Sequence, residues 1–477
     1  MEEGYSGLDS DVGSGVDSAA TTTGRKIVTI LSDDARDKKK VLDYFAARDV
    51  QDVLQSADFT ESAYCPDQAS NSEAVVFDHL PILSLNDNQN VQSALMAEPA
   101  NHADDDVRRL FVVEDEQWYF PSCPEFGGLD DGVESESDPG PAPNNGLGLS
   151  EYQRGYLRGI QMLATNLLGG VGDTVGSLEG GSMEATSFGR CFDDTNASTW
   201  GLQATRVSNS ALTGHGIRVA ILDTGFEFGH SDSNFASRVV GRVSTVGGTA
   251  QDHHGHGTHV AGTACGPRVP GLGTRRYGVA TESEILVAKV LGRQGGTDTQ
   301  ILGGLNWAIG QRCDLINLSL GPRACRPMPA FSASFERVAR LALRLGVLMI
   351  AAAGNNSRRP GLRCPVSGPS AAPSIVAVAA LDHCGRVAPF SNEGQNTTGG
   401  EINFAAPGVG VFSSWTNPTR HRSIQGTSMA APHVTGIAAL IAQQTGLRGL
   451  ALYRELRLRA REIGLPRSDA GNGLAQV

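Results

Sequence analysis

From Trp200 onward the chain alternates short, continuously apolar runs with helical patterns. The runs are IRVAIL (217–222), EILVAKVL (284–291), DLINLSL (314–320), GVLMIAAA (346–353) and IVAVAAL (375–381), and helices are expected between them over Thr299–Gln311 and Phe331–Leu345. A strand that is apolar on both faces needs cover on both faces. Strands joined through helices are joined by crossovers, so the expected class is α/β, a largely parallel sheet covered by helices on both faces. Ligands in such sheets bind beyond the carboxyl ends of the strands, which is where reactive residues are to be sought.

The first part of the chain has a different texture. Residues 1–25 are polar and acidic and read as a disordered tail. Residues 26–120 give strand, helix (Lys38–Arg48), a weaker strand around Val53–Phe59, an apolar strand in AVVFDHLPILSL, a short helix (Asn90–Met96) and a final strand in RRLFVVEDEQWYF. That order, β-α-β-β-α-β, is ferredoxin-like α+β. Residues 121–199 read as an acidic Pro/Gly-rich linker with one helix over Glu151–Leu168.

Charge divides the same way. The net charge is −12, yet residues 1–200 carry 36 acidic and 12 basic residues, which leaves 15 and 27 for the rest. Segments of opposite sign attract, as suits an acidic domain docked on a basic one. The basic residues of the second part are scattered without aromatic interleaving, which argues against a nucleic-acid partner. No apolar run is long enough to span a membrane. The start, MEEGYSGLDSDVGSG, is acidic where a signal peptide is basic and then apolar. It points to the cytoplasm, with secretion by a leaderless route as the alternative. The eight cysteines form no C-x-x-C pair and read as buried free thiols. A Cys313–Cys325 or Cys364–Cys384 bridge is the alternative in an exported protein.

Three residues stand where the sheet rule puts chemistry. Asp223 ends the run IRVAIL, His256 opens HGTHVAG after Asp252-His253-His254, and Ser428 lies in GTSMAAPHVTG at the entrance of an apolar helical run. A helix starting near Thr427 aims free N–H groups and its positive end at charge developing beside Ser428. An Asp, a His and a Ser on such positions can form one hydrogen-bonded chain: His256 takes the serine proton and returns it to the leaving amine, while Asp223 orients the imidazole. A metal reading of the histidines lacks H-E-x-x-H and any cysteine or carboxylate at a ligand interval. His259, one turn on, reads as structural.

DTG (223–225), HGTHVAG (256–262) and GTSMAAP (426–432), in that order, resemble the three signature segments of the subtilisin-like serine proteases. GVA (278–280), KVLG (289–292) and the late GNGLAQV (471–477) extend the resemblance over a catalytic domain at 200–477. It implies a subtilisin-like serine endopeptidase working through an acyl-enzyme, with Ser428 as nucleophile, His256 as base and Asp223 as orienting carboxylate. AAAGNN (351–356) resembles the segment whose asparagine completes the oxyanion hole, which places that role on Asn355. Ser319-Leu320-Gly321 and LGRQGG (291–296, with Gly292) resemble the two segments that hold a peptide substrate as an added strand, with Gly354 beside them. Val366, Ser367 and Gly368 would line the pocket for the residue before the cut. Relatives often bind calcium soon after the catalytic histidine, but here CGPRVPGLGTRRYG offers arginines and no carboxylate, so no cofactor is expected and calcium is unsupported. Residues 26–120 resemble the family's prodomains, which inhibit and chaperone in cis, so a zymogen is expected, with autocleavage anywhere between about Tyr119 and Trp200 or none at all. The partners implied are a protein or peptide substrate and the chain's own prodomain. Two alternatives stay open: a narrow processing peptidase acting on leader peptides or toxins, and a catalytically silent peptide-binding protein.

Overall fold

Strand β1 (Thr22–Ile30) opens a four-stranded antiparallel core in the order β5-β1-β4-β3, with a short further strand on its edge. After β1 come α1 (Ala35–Ala46), β2 (Val53–Gln55), β3 (Ala74–Val76), β4 (Ile82–Asn86), α2 (Gln89–Met96), α3 (His102–Arg108) and β5 (Phe111–Pro121). The computed structural model describes residues 22–48, 50, 53–55, 72–86, 88–96, 102–122, 191–271, 273–325, 331–395 and 399–477. The helix expected at 151–168 lies outside them.

The middle strands of this sheet differ from the sequence reading. AVVFDHLPILSL is a hairpin of two strands rather than one, turning at Asp78–Pro81, and β2 is only an edge strand parallel to β3. Pro81 has no N–H to give a ladder, and its carbonyl instead accepts from Ile30 N at 2.8 Å. Side-chain alternation then sorts the sheet's two faces. Val28, Ile30, Ala74, Val76, Leu83 and Leu85 pack with Val41, Tyr44 and Phe45 of α1, while Ile27, Val75 and Ile82 point the other way.

The second sheet begins after α4 (Trp200–Ala204). Its strands are β6 (Arg218–Asp223), β7 (Val239–Ser244), β8 (Glu284–Lys289), β10 (Leu315–Leu318), β12 (Leu348–Ala352), β13 (Val376–Leu381) and β14 (Phe404–Pro407). They pair in the order β14-β13-β12-β10-β6-β8-β7, every pair parallel. The helices are α5 (His256–Cys265), α6 (Asp298–Gly310), α7 (Ala333–Arg344), α8 (Thr427–Thr445), α9 (Gly449–Arg459) and α10 (Arg467–Ala470). Two-residue strands β9 (Gly296–Thr297) and β11 (Leu320–Gly321) and the hairpin β15 (Val411–Ser414) with β16 (His421–Ile424) complete the list.

Strand period decides which helices cover which face. Val219, Ile221, Ile285 and Val287 share a core with Val260 and Ala261 of α5 and Val434 and Ile437 of α8. Their neighbours Ala220, Leu222, Leu286 and Ala288 face Ile301 and Leu305 of α6 and Phe335 and Val338 of α7. Ile27, Val75 and Ile82 of the first sheet join that same second core, so the antiparallel sheet lies over α6 and α7. At about 1.5–3 kcal/mol for each large apolar side chain buried, this shared core is a substantial share of what holds the two layers together.

The cysteines correct the sequence reading. Cys191 bonds Cys384 and Cys325 bonds Cys364, neither being a pair expected from the sequence, while Cys265 and Cys313 are buried and free. Cys313 sits in the second core among apolar neighbours, while Cys325 is spent in its bridge to Cys364.

Candidate active site

The carboxyl end of β6 and the first residue of α5 meet face to face. Asp223 Oδ1 lies 2.7 Å from His256 Nδ1, and both side chains are fully buried. The backbone N–H of Thr224 donates to the same Oδ1 at 2.7 Å. This approach needs glycine at 257, because a Cβ there would stand 2.3 Å from the carbonyl oxygen of Gly225.

Asp252 fixes the pair from behind, and sequence reasoning noted it only as part of a histidine cluster. Its Oδ1 accepts the N–H groups of His254 and Gly255 and the Thr224 hydroxyl, and its Oδ2 accepts the N–H and hydroxyl of Thr258. It therefore caps α5, whose formal N-cap is a glycine with no side chain to give. Burial works to raise the Asp252 pKa, but the hydrogen bonds from Gly255, Thr258 and His254 outweigh it and hold the carboxyl below its ordinary value. The signal available in the sequence was an Asp four residues ahead of a helix lacking a capping side chain. His259 has its pKa lowered to about 3 by burial, and Nε2 of the neutral ring donates to the carbonyls of Val411 and Arg422.

Ser428 is the second residue of α8 and is buried. Its Oγ donates to the carbonyl of Ser319 at 3.0 Å, and His256 Nε2 has no hydrogen-bond partner among the described residues. Pro432, one turn on, cannot supply the N–H that would close the helix on the Ser428 carbonyl. That carbonyl accepts the Ser319 hydroxyl instead, at 2.8 Å. The serine is thus held at both its carbonyl and its hydroxyl by one residue of the strand-end loop. Asn355 stands opposite: its Oδ1 accepts the N–H and the hydroxyl of Thr427, both at 2.9 Å, which leaves Nδ2 as a buried donor without an acceptor among the described residues.

The chain's own strand β5 runs into this site. Trp118 and Tyr119 pair antiparallel with Thr297 and Gly296 of β9, and Phe120 and Pro121 pair with Gly321 and Leu320 of β11. Beyond the strand, Ser122 N donates to Ser319 O at 3.2 Å, and Ser122 O accepts the N–H of Ser428 at 3.3 Å. Tyr119 is buried edge-on to Phe335, ring centroids 5.7 Å apart, and the Arg323 guanidinium covers the Phe120 ring at 3.8 Å. Of the residues singled out from sequence, Ser319, Leu320 and Gly321 touch this strand. Gly292 instead closes a turn on Gly295, and Gly354 packs against Asn392 and Ser367, donating its N–H to the Thr427 hydroxyl.

The upper part of β5 caps two helices. Glu116 accepts the N–H of Thr299 at 2.9 Å and also its hydroxyl, at the start of α6. Glu114 accepts the N–H groups of Ala333 (2.9 Å) and Ser334 (3.0 Å) at the start of α7, whose own N-cap Ser332 makes no capping bond. Negative charge at helix N-termini is favourable. Here the acidic character of the first part of the chain acts at specific atoms.

Among the described residues, two groups could offer a metal three side chains within 4.8 Å of one another. In the first, Cys191 and Cys384 are spent in their disulfide. In the second, His421 and Tyr277 donate to Asp232 Oδ2, and His230 accepts from Asp232 N and donates to Arg420 O. These groups serve one another, and neither trio lies in the Asp223–His256–Ser428 arrangement. No helix of the described residues is long and apolar enough to cross a membrane.

Comparison with known proteins places this geometry. The family model described as the Subtilase family, peptidase S8, matches residues 214–455. This chain belongs to that family. A thermostable alkaline protease of Halalkalibacterium halodurans is 36% identical over 285 residues, covering 58% of this chain and 72% of that protein. The minor extracellular protease Epr of Bacillus subtilis is 34% identical over 308 residues, covering 61% of this chain and 44% of that protein. Among solved structures, an S41 psychrophilic protease aligns with a TM-score of 0.50 and 32% identity, over 60% of this chain and 99% of that one. This subtilase is a subtilisin-like serine endopeptidase acting on protein or peptide substrates. The cytoplasmic expectation is overturned: relatives that include an extracellular protease point to secretion, and the Cys191–Cys384 and Cys325–Cys364 disulfides suit an oxidising compartment.

Proposed function

We propose that Ser428 is the acyl-forming nucleophile, His256 its general base and acid, Asp223 the carboxylate that orients the imidazole, and Asn355 a donor to the tetrahedral oxyanion. The observation that carries this reading is the buried Asp223–His256 contact of 2.7 Å, together with a peptide carbonyl, that of Ser122, which already meets the Ser428 N–H. The hydrogen bond from His256 Nδ1 to Asp223 leaves Nε2 as the proton acceptor, and that atom is unpartnered. A rotation of the Ser428 hydroxyl away from Ser319 O brings its proton to Nε2 as the oxygen attacks. Negative charge then moves onto the substrate carbonyl oxygen, where the Ser428 N–H and the free Asn355 Nδ2–H are the donors available. Collapse of the intermediate expels the amine with the proton from Nε2, and water repeats the sequence to release the acid. Ser319–Gly321 and Gly296–Thr297 hold a substrate as the middle strand of three, as β5 is held.

We infer further that residues 22–122 act as a cis inhibitor. Their last strand occupies the substrate position, and Glu114 and Glu116 anchor it on α6 and α7. The enzyme is then made as a zymogen. Reaction of folded protein with a fluorophosphonate probe tests the nucleophile. Labelling that Ser428→Ala abolishes and that falls when residues 22–122 are present supports both readings. Labelling that survives Ser428→Ala overturns the first, and labelling indifferent to the amino-terminal region overturns the second.

A further inference from the structure

We propose that Arg323 and Gly295 form a slot that selects an aromatic side chain on the substrate, two residues ahead of the carbonyl that Ser428 attacks. The proposal rests on the reading that β5 lies where a substrate strand lies, and adds which side chain such a strand should carry.

Alternation along β5 sends neighbouring side chains to opposite sides. Tyr119 is buried against Phe335, and Phe120 turns the other way, where it is only half-buried. Backbone pairing holds both in place, Tyr119 opposite Gly296 of β9 and Phe120 opposite Gly321 of β11. Ser122 brings its carbonyl oxygen to the Ser428 N–H, so Phe120 stands two residues ahead of the carbonyl in position for attack.

The floor of the slot is bare backbone. A Cβ at Gly295 would stand 2.8 Å from Phe120 Cε1 and 2.9 Å from Cδ1, so the ring rests where any other residue would place its side chain. Gly295 also has a φ of 97°, a conformation that favours glycine. It closes a turn with Gly292, whose N–H reaches the Gly295 carbonyl at 2.8 Å while the Gly295 N–H returns to the Gly292 carbonyl at 3.3 Å. That turn keeps the floor under the ring.

The roof is a cation. Arg323 Cζ lies 3.8 Å from the centroid of the Phe120 ring. A planar guanidinium over an aromatic face is attracted by the ring's quadrupole and stacks on it. The Arg323 side chain is exposed, and among the described residues no carboxylate holds it elsewhere. Its backbone is tethered: the Arg323 carbonyl accepts from Asn356 Nδ2 at 2.6 Å, and Cys325, two residues on, is bridged to Cys364. A fixed stem therefore carries an unpaired cation above a bare glycine, which leaves a flat gap suited to the two faces of a ring. An aliphatic side chain fills that gap without the electrostatic gain. A carboxylate meets the cation in solvent, where a pair is worth little, and leaves the floor uncovered.

The test is kcat/KM of the full chain on a series of peptides Tyr-X-Pro-Ser with a chromogenic amine at the carboxyl end, X being Phe, Trp, Leu, Ala or Glu. Wild type, Arg323→Leu and Arg323→Lys are compared, and fluorophosphonate labelling shows that each is folded. Competition from β5 lowers every rate of one protein by the same factor, so ratios within the series report the slot. Wild type is expected to favour Phe over Leu about 2–5-fold, the range of an exposed cation–π contact, with Trp at least as good as Phe. The difference should lie in KM and not in kcat, because the contact is made before the bond is attacked. Arg323→Leu should lose the preference, and Arg323→Lys, which keeps the charge without the plane, should keep only part of it. Equal rates on Phe and Leu in wild type overturn the proposal, as does a preference for Glu, or a Phe preference that survives unchanged in Arg323→Leu. If Arg323→Leu fails to label, the wild-type ratio and Arg323→Lys still decide. Wild type that labels yet cuts no member of the series removes the slot and leaves the nucleophile reading intact. Wild type that neither labels nor cuts sinks both.

Discussion

The hydroxyl of Thr224 donates to Asp252 Oδ1 at 3.0 Å, which ties the residue after Asp223 to the cap of the helix that begins at His256. Neither Thr224 nor Asp252 is assigned a part in the reaction. Together they set the distance between two residues that are.

Asp252→Ala should therefore damage stability and turnover together. It leaves several buried donors without an acceptor, and orphaned buried groups cost about 1–3 kcal/mol each, so a loss of several kcal/mol is expected in denaturant unfolding. Asp252→Asn keeps the volume and one acceptor oxygen, and should lose less. The pH dependence has a definite sign. A carboxyl held below its unfolded value contributes stability that is present above that unfolded value and is lost as pH falls through the depressed one. Wild-type stability should fall on the acid side with a contribution that Asp252→Asn lacks.

Asn355→Ala should lower turnover about 10²–10³-fold with little change in KM, because the lost donor acts on charge that exists only in the transition state. Steady-state kinetics on a peptide substrate decides it. A rise in KM with turnover unchanged would assign Asn355 to ground-state binding instead. The Asn355 carbonyl also accepts from Thr427, so Asn355→Asp, which keeps that acceptor and removes the donor, separates catalysis from packing.

Much of this was legible in the chain. The apolar runs that became β6, β8, β10, β12 and β13 are apolar on both faces, and their sequence alone states that they are covered twice. Strand β7 was not foreseen, because VVGRVS is exposed along part of its length at the sheet edge and reads as a loop. The hairpin in AVVFDHLPILSL reads as one strand because its turn is short and apolar at Leu80. Disulfide pairs could not be read, since Cys191 and Cys384 are 193 residues apart and spacing carries no pairing information at that range. The capping role of Asp252 was hidden by the histidines beside it. The end point of β5 in the site depends on register, which is set by Glu114, Glu116 and Tyr119 meeting helices far along the chain, 183 residues away at Thr299 and 219 at Ala333.

Cys325→Ser should destabilise the enzyme by about 2–4 kcal/mol, the usual worth of a disulfide closing a loop of this size. The bridge joins the segment after β11 to the segment after Asn355, so both segments feel its loss. Thermal unfolding with and without reductant checks it: reductant should lower the wild-type midpoint by more than that of a variant lacking the Cys191–Cys384 and Cys325–Cys364 bridges.

Docking of β5 should weaken as pH rises, and Asp298 is the reason. Its Oδ2 accepts the N–H of Gln117 at 2.6 Å, and its carboxyl is buried. Burial, with the charges of Glu116 and Glu114 close by, pushes its pKa well above the ordinary carboxylate value, against the pull of the Gln117 and Tyr119 hydrogen bonds. Every named neighbour belongs to β5, so part of this shift exists only while β5 is docked. The docked state therefore holds a proton that the separated state releases above about pH 4. Docking is strongest below the separated-state value and is lost progressively as pH rises through the docked one. Asp298→Asn removes the ionisation and keeps an oxygen for Gln117, so inhibition by residues 22–122 should tighten at neutral pH and lose this dependence. The check is the inhibition constant measured from acid to neutral pH for both proteins. A wild-type constant that improves as pH rises, or equal slopes for wild type and Asp298→Asn, would remove Asp298 from the account.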